Sequence, residues 1–220
     1  PKGYQISHVE SPLAVNGHLT IPTDEGWLPI RIRRVHLEED TGKLTHVSAD
    51  RPSYTLVDLN RAGIPLLEIV SEPDMHTIAQ VEAYSRALRL ILQYLGVNSG
   101  DMEKGVIRFE ANVSVRPDRL QELGTRVEIK NLNSFQSMTA AISYELDRQT
   151  QLLASGKSVI QETLGWDETQ RTTIAQRSKE EAHDYRYFPE PDLPPLHISP
   201  ELIATERAAL PELPQKRLQR

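Results

Sequence analysis

Polar and apolar residues alternate strictly in two segments in the middle of the chain. In residues 106–117, VIRFEANVSVRP, every second side chain is apolar. Residues 125–133, TRVEIKNLN, repeat the alternation with Val127 and Ile129. Because successive side chains of a strand point to opposite faces, each segment predicts a strand with one apolar and one polar face.

Apolar residues recur at helical spacing on either side of these strands. One stripe covers Thr77–Leu95 and is followed by Gly96, and a second covers Ser134–Ala154 and is followed by Gly156. A Ser at the N-cap and a Gly after the last turn are ordinary helix boundaries. We therefore expect two helices whose apolar stripes pack on a sheet.

The remaining pattern predicts short strands near the start and a helix near the end. Residues 1–60 hold strand-like stretches broken by Pro, Gly and Asn, and Ile64–Val70 is a continuous apolar run that suits a strand buried on both faces. Val159–Glu168 predicts a further strand. Residues 199–201, Ser-Pro-Glu, combine an N-cap with a proline at the first helical position, so a helix begins there.

These elements together predict an α+β fold. A largely antiparallel sheet carries helices on one face and leaves an open polar face on the other. A boundary near residue 198 divides a first domain, residues 1–198, from residues 199–220, the start of a C-terminal helical domain. The chain opens without Met and closes inside a helical pattern, so we expect the first domain to lack its N-terminal part.

Composition narrows the class of protein. The 220 residues are 38% hydrophobic and 25% charged, as in a globular protein. No apolar run is long enough to cross a membrane, and without cysteine there is no disulfide or thiolate metal site, so a cytoplasmic location is expected. The net charge of −6 argues against a nucleic-acid surface over the whole chain but leaves room for a local basic patch.

The polar face of the two alternating strands carries candidate chemistry. Glu110 and Glu128 each have cations two residues away, and Mg²⁺ takes carboxylate oxygens while bridging to substrate phosphates. The flanking cations, of types that neutralise phosphates, are Arg108, Arg116, Arg126 and Lys130. Solvated strands also alternate Glu with Lys or Arg as cross-strand pairs, each worth roughly 0.2–1 kcal/mol. On the pattern alone, this surface-pair interpretation is favoured.

A second acidic stretch, VHLEEDTGK, lies at the end of a predicted strand. If Val35 and Leu37 face the core, then Glu38 and Asp40 share the polar face with His36. Glu39 then lies on the core side or past the strand end. The alternation slips at residues 33–34, which predicts a β-bulge. Strand phase therefore does not choose a ligand among these acids.

Histidines and aromatic residues are weaker candidates. His36 and His183 have the chemistry of a general base, but a lone histidine is more often a surface or internally bonded residue. Four aromatic residues could stack on a nucleotide base, although core or loop packing is the more usual role. They are Tyr4, Tyr185, Tyr187 and Phe188.

Five segments of the chain together resemble the B-subunit family of the aspartyl/glutamyl-tRNA amidotransferases. They are PKGYQIS, HLEEDTGK, LVDLNRAGIPLLEIVSEPD, EIKNLNSF and HDYRYFPEPDLPPL, and they run in order from residue 1 to about 198. Strings of this length in this order rarely coincide by chance.

The resemblance implies a fold and an activity. The family's catalytic domain is a cradle on an antiparallel sheet, similar to glutamine synthetase, and residues 1–198 would form it. With ATP and Mg²⁺, it phosphorylates the side-chain carboxylate of Glu or Asp mischarged on tRNA for Gln or Asn. Ammonia made from glutamine by the A subunit, an amidase, then displaces the phosphate, and the C subunit braces the other two.

Site residues follow from the resemblance as well. Glu39, Glu110 and Glu128 match positions that the family uses around its magnesium, and Glu39 and Glu128 are the expected catalytic residues. VHLEEDTGK would then be one wall of a metal–ATP site. The expected contacts of the ATP phosphates are Lys43, Lys130 and Arg108.

The chain departs from the family in the segment Phe-Glu-Ala-Asn around Glu110, where the family has Cys-Asp-Ala-Asn. Glutamate keeps the charge but reaches one methylene further, so an altered metal geometry is expected. The family's first His/Glu metal motif, the zinc-binding cysteines of some members and the C-terminal tRNA-reading domains have no counterpart here. We expect this piece to be inactive by itself.

Two other hypotheses stay open. The same cradle could be a non-catalytic scaffold for the amidase partner and the tRNA acceptor. This hypothesis would be favoured if the polar-face acids were paired with arginines and bound no metal. A stand-alone carboxylate–amine ligase of the glutamine synthetase type is the weaker alternative, because the tRNA-linked segments are present. The sequence does not set a preference between Glu-tRNA and Asp-tRNA.

Overall fold

The computed structural model describes residues 3–47, 54–178, 188–218 and 220. Their helices are α1 (Tyr4–Ser7), α2 (Ile78–Tyr94), α3 (Phe135–Ala154), α4 (Pro200–Ala209) and α5 (Pro214–Leu218). Their strands are β1 (Ala14–Thr23), β2 (Gly26–Glu39), β3 (Lys43–Val47), β4 (Tyr54–Asp58), β5 (Pro65–Ser71), β6 (Phe109–Val113), β7 (Val127–Leu132), β8 (Glu162–Asp167) and β9 (Thr172–Ser178). The fold is α+β, as the sequence predicts. Within the described ranges, no helix combines the length and apolar character needed to cross a membrane.

The chain divides into two compact units. Where described, the first contains residues 3–19, 29–74 and 188–200, and the second contains residues 20–28, 75–178 and 201–220. Strands pair in the orders β1-β2-β5, β3-β4 and β6-β7-β8-β9. The β6–β9 sheet lies wholly in the second unit.

The first unit confirms one strand prediction and corrects two others. The register of the antiparallel pair β2–β5 shifts between Ile32 and Arg34, which confirms the predicted bulge. Tyr4–Ser7 is a helical turn rather than part of a strand. The expectation that Ile64–Val70 is buried on both faces is wrong: β5 has β2 as its one described neighbour, and Leu67 is 43% exposed. A strand at a sheet margin keeps contact with water, so a continuous apolar run does not make a strand central.

The second unit contains both predicted long helices. Thr77 and Ser134 are their N-caps, and each side chain accepts a hydrogen bond from a backbone N–H of the first turn. Gly96 and Gly156 follow the helices with φ of 67° and 75°, the left-handed region in which glycine has no side-chain strain. Local chemistry alone therefore fixes these boundaries.

Alternate residues of β6 and β7 pack with α3 in one hydrophobic cluster. Phe109 and Ala111 pack against its buried members. Those members are Val113, Ile129, Leu132, Met138, Ala141, Ile142 and Trp166. Because neighbours along a strand point to opposite sides, this packing directs the intervening residues of β6 and β7 away from the cluster.

A buried polar network ties α3 to the end of β6. Glu145 and Gln149 are both 0% exposed. Arg148 donates two hydrogen bonds to Glu145, at 2.9 and 2.8 Å, and this bonding raises the pKa of Arg148. Gln149 accepts from the Val115 N–H at 3.0 Å and donates to the Val113 carbonyl at 3.2 Å. Glu145 and Gln149 lie at the helical spacing of the apolar stripe of α3. Polar residues at such positions are the sequence signal of a buried polar network.

Replacing Gln149 with leucine should lower the free energy of unfolding by roughly 1–3 kcal/mol, because the Val115 N–H loses its acceptor. Urea titration of the chain measures this. The control is Thr150→Val on the same helix, which removes a bond of 2.7 Å to the Leu146 carbonyl at an exposed position. It should change the free energy by less than about 0.5 kcal/mol. Equal losses in both variants would contradict a stabilising role for the network.

Candidate functional site

A β-bulge shapes the polar face where β6 meets β7. The register shifts next to Glu110, so that this residue opposes both Lys130 and Asn131. Asn131 has a φ of 64°, in the left-handed region that asparagine tolerates better than most residues. The extra residue bends its strand and re-aims the neighbouring side chains.

Lys130 lies between the two glutamates of this face. Its Nζ is 3.1 Å from Oε1 of Glu110 and 3.8 Å from Oε1 of Glu128. The Glu110 side chain is 48% exposed and that of Glu128 is 15% exposed. The cluster is therefore open to solvent at Glu110 and largely enclosed at Glu128. The structure thus brings together three of the candidate residues that the alternation placed on one face.

Thr163 holds the second oxygen of Glu128. β7 pairs in parallel with β8, and the register sets Glu128 opposite Thr163. The Thr163 Oγ1 donates to Oε2 of Glu128 at 2.8 Å, and Thr163 is 1% exposed. The sequence did not predict this contact, because α3 separates the two strands and no local pattern reports their register.

A glycine makes room for two amide groups next to this cluster. Gly165 pairs with Lys130 across the β7–β8 ladder. A Cβ at Gly165 would lie 2.4 Å from Nε2 of Gln176 and 3.0 Å from Nδ2 of Asn131. The missing side chain therefore lets both amides lie over β8, where they add neutral hydrogen-bonding groups to the polar face.

The arginines predicted for this face lie at its margins. Arg108 immediately precedes β6 and Arg126 immediately precedes β7, and both are exposed. Arg116 lies beyond β6 and donates to the Leu120 carbonyl at 2.6 Å, so it is engaged by its own loop. Lys130, by contrast, lies between the two glutamates.

Glu39 and Lys43 belong to the first unit. Oε1 of Glu39 accepts the backbone N–H of Gly3 at 3.1 Å, so the segments PKGYQIS and HLEEDTGK meet at this carboxylate. Lys43 is exposed at the start of β3, opposite Asp58. The backbone contact fixes where the Glu39 carboxylate lies at the end of β2.

Strand phase put His36 and Asp40 on a polar face, but both side chains are buried, at 2% and 7% exposed. The Val9 carbonyl lies against His36, while the backbone of Asp40 bonds to that of Gly63 and Ile64. Nδ1 of His36 accepts from Arg34 Nε at 3.2 Å, and its Nε2 then donates to the Val9 carbonyl at 3.3 Å. Asp40 pairs with Arg61 at 3.0 Å. Both residues serve the fold of this unit.

Of the four aromatic candidates, the structure describes Tyr4 and Phe188. Tyr4 packs on His8 with ring centroids 4.8 Å apart, and Phe188 is 69% exposed. His183, Tyr185 and Tyr187 lie outside the described residues.

The donor set of the polar face can be compared with the needs of a metal ion. Across the described ranges, no group of three or more His, Asp or Glu side chains is arranged to hold a metal. Glu110 and Glu128 nevertheless place two carboxylates around one cation, the Lys130 ammonium. Because Mg²⁺ commonly takes one or two carboxylates and completes its octahedron with water and phosphate oxygens, these two donors fit a nucleotide-bound Mg²⁺.

The α+β fold and this face define a protein with a candidate cation- and phosphate-binding site on a sheet. Comparison with protein families specifies the class. The model of the GatB/GatE catalytic domain matches residues 1–204, and the chain belongs to this family.

Individual relatives agree with this assignment. The aspartyl/glutamyl-tRNA(Asn/Gln) amidotransferase B subunit of Roseiflexus castenholzii is 54% identical over 100% of this chain and 45% of its own length. The proteins of the same name from Myxococcus xanthus and Nitratidesulfovibrio vulgaris are 54% and 52% identical, over 100% of this chain and 46% of their own lengths. The chain thus spans about half the length of these relatives. The resemblance carried by the five segments is confirmed.

Replacing Lys130 with methionine should change the free energy of unfolding by less than about 1 kcal/mol, because the close pair is with the exposed Glu110 and the contact with Glu128 is long, at 3.8 Å. Urea titration alongside Gln149→Leu makes the comparison direct. A loss as large as that of the Gln149 variant would identify Lys130 as a structural residue of the sheet.

Proposed function

We propose that this chain is the ATP-dependent part of a glutamine-dependent aminoacyl-tRNA amidotransferase, a carbon–nitrogen ligase. It phosphorylates and then transamidates Glu-tRNA(Gln), Asp-tRNA(Asn) or both. The observation that carries the proposal is the cluster of Glu110, Lys130 and Glu128, since two carboxylates around one cation suit the metal and phosphates of ATP. The names of the relatives supply the tRNA substrates.

The chemistry requires activation of a carboxylate. A carboxylate is a poor acyl donor because its leaving group would be an oxide. Attack of a carboxylate oxygen on the γ-phosphorus breaks the bond to ADP and gives an acyl phosphate. Ammonia then adds to the acyl carbon, phosphate leaves, and loss of a proton gives the amide. Bound Mg²⁺ would supply positive charge near the phosphate oxygens, and such positioning and charge neutralisation carry catalysis in phosphoryl transfer.

The proposed roles differ in their support. Glu128 and Glu39 are the proposed catalytic residues, and Glu110 joins them as a proposed Mg²⁺ ligand. Glu128 has the strongest geometric support, because it is held by Thr163 and lies beside a cation. Glu39 rests on the family resemblance of its segment. The proposed contacts of the ATP phosphates are Lys130, Lys43 and Arg108.

We also propose the cradle architecture of glutamine synthetase for residues 1–198, with residues 199–220 starting a C-terminal helical domain. The packing of α3 against alternate residues of β6 and β7 supports helices on one face and a polar cradle on the other. A helix that begins at Pro200, and a family match that ends at residue 204, support the domain boundary.

The proposed partners are the A subunit (the amidase), the C subunit and mischarged tRNA, in the cytoplasm. The relatives are named as one subunit of an amidotransferase, which supports assembly with other subunits. A net charge of −6 favours local contact with tRNA over an extended basic surface.

A second candidate function is a non-catalytic scaffold for the same partners. The ion pairs of Lys130 with Glu110 and Glu128 favour it, because acids that serve as surface pairs need no metal. The two functions differ in whether the complex uses these acids to transfer a phosphoryl group from ATP to the aminoacyl carboxylate.

Glu128→Gln should lower tRNA-dependent ADP release at least about 100-fold, because it removes a carboxylate charge where metal and phosphate charge must be balanced. The assay uses the full-length subunit assembled with its partners, in the presence of Mg²⁺, with and without mischarged Glu-tRNA or Asp-tRNA. The control is Glu82→Gln, which removes an ion pair of 2.6 Å with Arg86 on α2. The control should keep wild-type turnover.

Normal turnover of the Glu128 variant would remove this residue from the site. ADP release that neither Glu-tRNA nor Asp-tRNA stimulates, even in the wild type, would favour the scaffold.

Glu110→Asp tests the departure of this chain from its family. Shortening the side chain by one methylene draws the carboxylate back from Lys130 but restores the residue that the resemblance implies. We expect turnover within about fivefold of wild type, because charge is retained and the exposed side chain can adjust. A loss as complete as that of Glu128→Gln would show that the geometry at this position is strict.

A further inference from the structure

Thr163 lies on β8, directly beside the cluster of Glu110, Lys130 and Glu128. It is 1% exposed, and its Oγ1 is 2.8 Å from Oε2 of Glu128. This is the usual separation for an O–H donor and an oxygen acceptor, and the charge on the carboxylate strengthens the bond. Because threonine is branched at Cβ, its χ1 is restricted, and burial together with the bond to Glu128 limits the position of its hydroxyl further.

The bond distinguishes the two oxygens of Glu128. The terminal torsion of a glutamate is broad and roughly two-fold, so a solvated carboxylate exchanges its oxygens freely. Here Oε2 is bound to Thr163, while Oε1 lies on the side of Lys130, 3.8 Å from Nζ. The same lysine reaches Glu110 at 3.1 Å.

We propose that Thr163 is a positioning residue of the reaction. Its hydroxyl holds Oε2 of Glu128 and thereby directs Oε1 toward the position between Glu110 and Glu128 that a divalent cation would share. This inference rests on the proposed function, and it assigns to β8 the task of orienting a ligand on β7. A fixed carboxylate needs no reorganisation when the metal–nucleotide binds, which is how preorganised groups contribute to binding and catalysis.

The parallel register explains why this residue can do so. Glu128 and Thr163 are direct partners across the β7–β8 ladder, so their side chains leave the sheet on the same face. Two positions along each strand, Lys130 pairs with Gly165, over which the amide groups of Gln176 and Asn131 lie. The same ladder thus sets both Glu128 against Thr163 and Lys130 beside neutral amide groups.

The test compares variants that separate the hydroxyl from the methyl group. Thr163→Val removes the hydroxyl and keeps the shape, while Thr163→Ser keeps the hydroxyl. Thr163→Ala is a second hydroxyl-free variant in case valine is not accommodated. Each is made in the full-length subunit within the assembled complex. Mn²⁺ is titrated with the β,γ-imido analogue of ATP and followed by electron paramagnetic resonance, and kcat and the KM for Mg²⁺ are measured separately.

The expected result is a loss of about tenfold or more in Mn²⁺ affinity for the hydroxyl-free variants, since removing a residue that orients a metal ligand typically costs 10–100-fold. The serine variant should stay within about twofold of wild type, because it keeps the donor. The KM for Mg²⁺ should rise in parallel with the loss of Mn²⁺ affinity.

Several outcomes would overturn the inference. Wild-type Mn²⁺ affinity in the valine or alanine variant would show that the hydroxyl does not orient the ligand. Equal losses in the serine and valine variants, or losses that follow the free energy of unfolding, would make Thr163 a packing residue. If Glu128→Gln is inactive while Thr163→Val is normal, this inference alone fails. If Glu128→Gln turns over normally, the proposed function fails with it.

Discussion

The packing of alternate β6 and β7 side chains against α3 is the constraint on which the candidate site depends. Phe109, Ala111, Val113 and Ile129 contribute to one cluster with α3. Since a strand has a period of two, fixing these residues in the core directs their neighbours away from it, and a slip by one residue would exchange the faces. The buried Gln149 adds hydrogen bonds to the backbone at the end of β6, which makes such a slip costlier.

Electrostatics then decides how the polar face is arranged. Two carboxylates on adjacent strands repel one another unless a cation or a hydrogen-bond donor stands between or beside them. Lys130 provides the cation and Thr163 provides the donor to Glu128. The arrangement is an ion-pair cluster, and the proposed metal site would use the same two carboxylates. Surface pairing and the proposed metal binding call for the same residue types at the same spacing, which is why the sequence pattern alone could not choose between them.

Local patterns predicted what depends on neighbours in sequence. The cap Ser134, the bulge at residues 33–34 and the shared face of Glu110, Glu128 and Lys130 all follow from short-range spacing. Prediction failed where tertiary contacts decide. His36 is buried because a distant segment covers β2, and Thr163 meets Glu128 because β7 and β8 pair in parallel across a helix. The burial of Glu145 was also not predicted, although its position on the apolar stripe of α3 was a usable signal.

The bulge at Asn131 bears on the unusual glutamate. Inserting one residue opposite Glu110 bends β7 and changes the distance between the facing side chains, so the reach needed at position 110 depends on this local backbone. A longer side chain spans the gap to Lys130 at 3.1 Å while most of its conformational freedom remains in solvent. Glu128 has less freedom, because its side chain is only 15% exposed and is bound to a buried hydroxyl. Of the two proposed ligands, one is thus adaptable and the other is fixed. Under the proposed function, the fixed carboxylate would set the cation position, and the adaptable one would follow it.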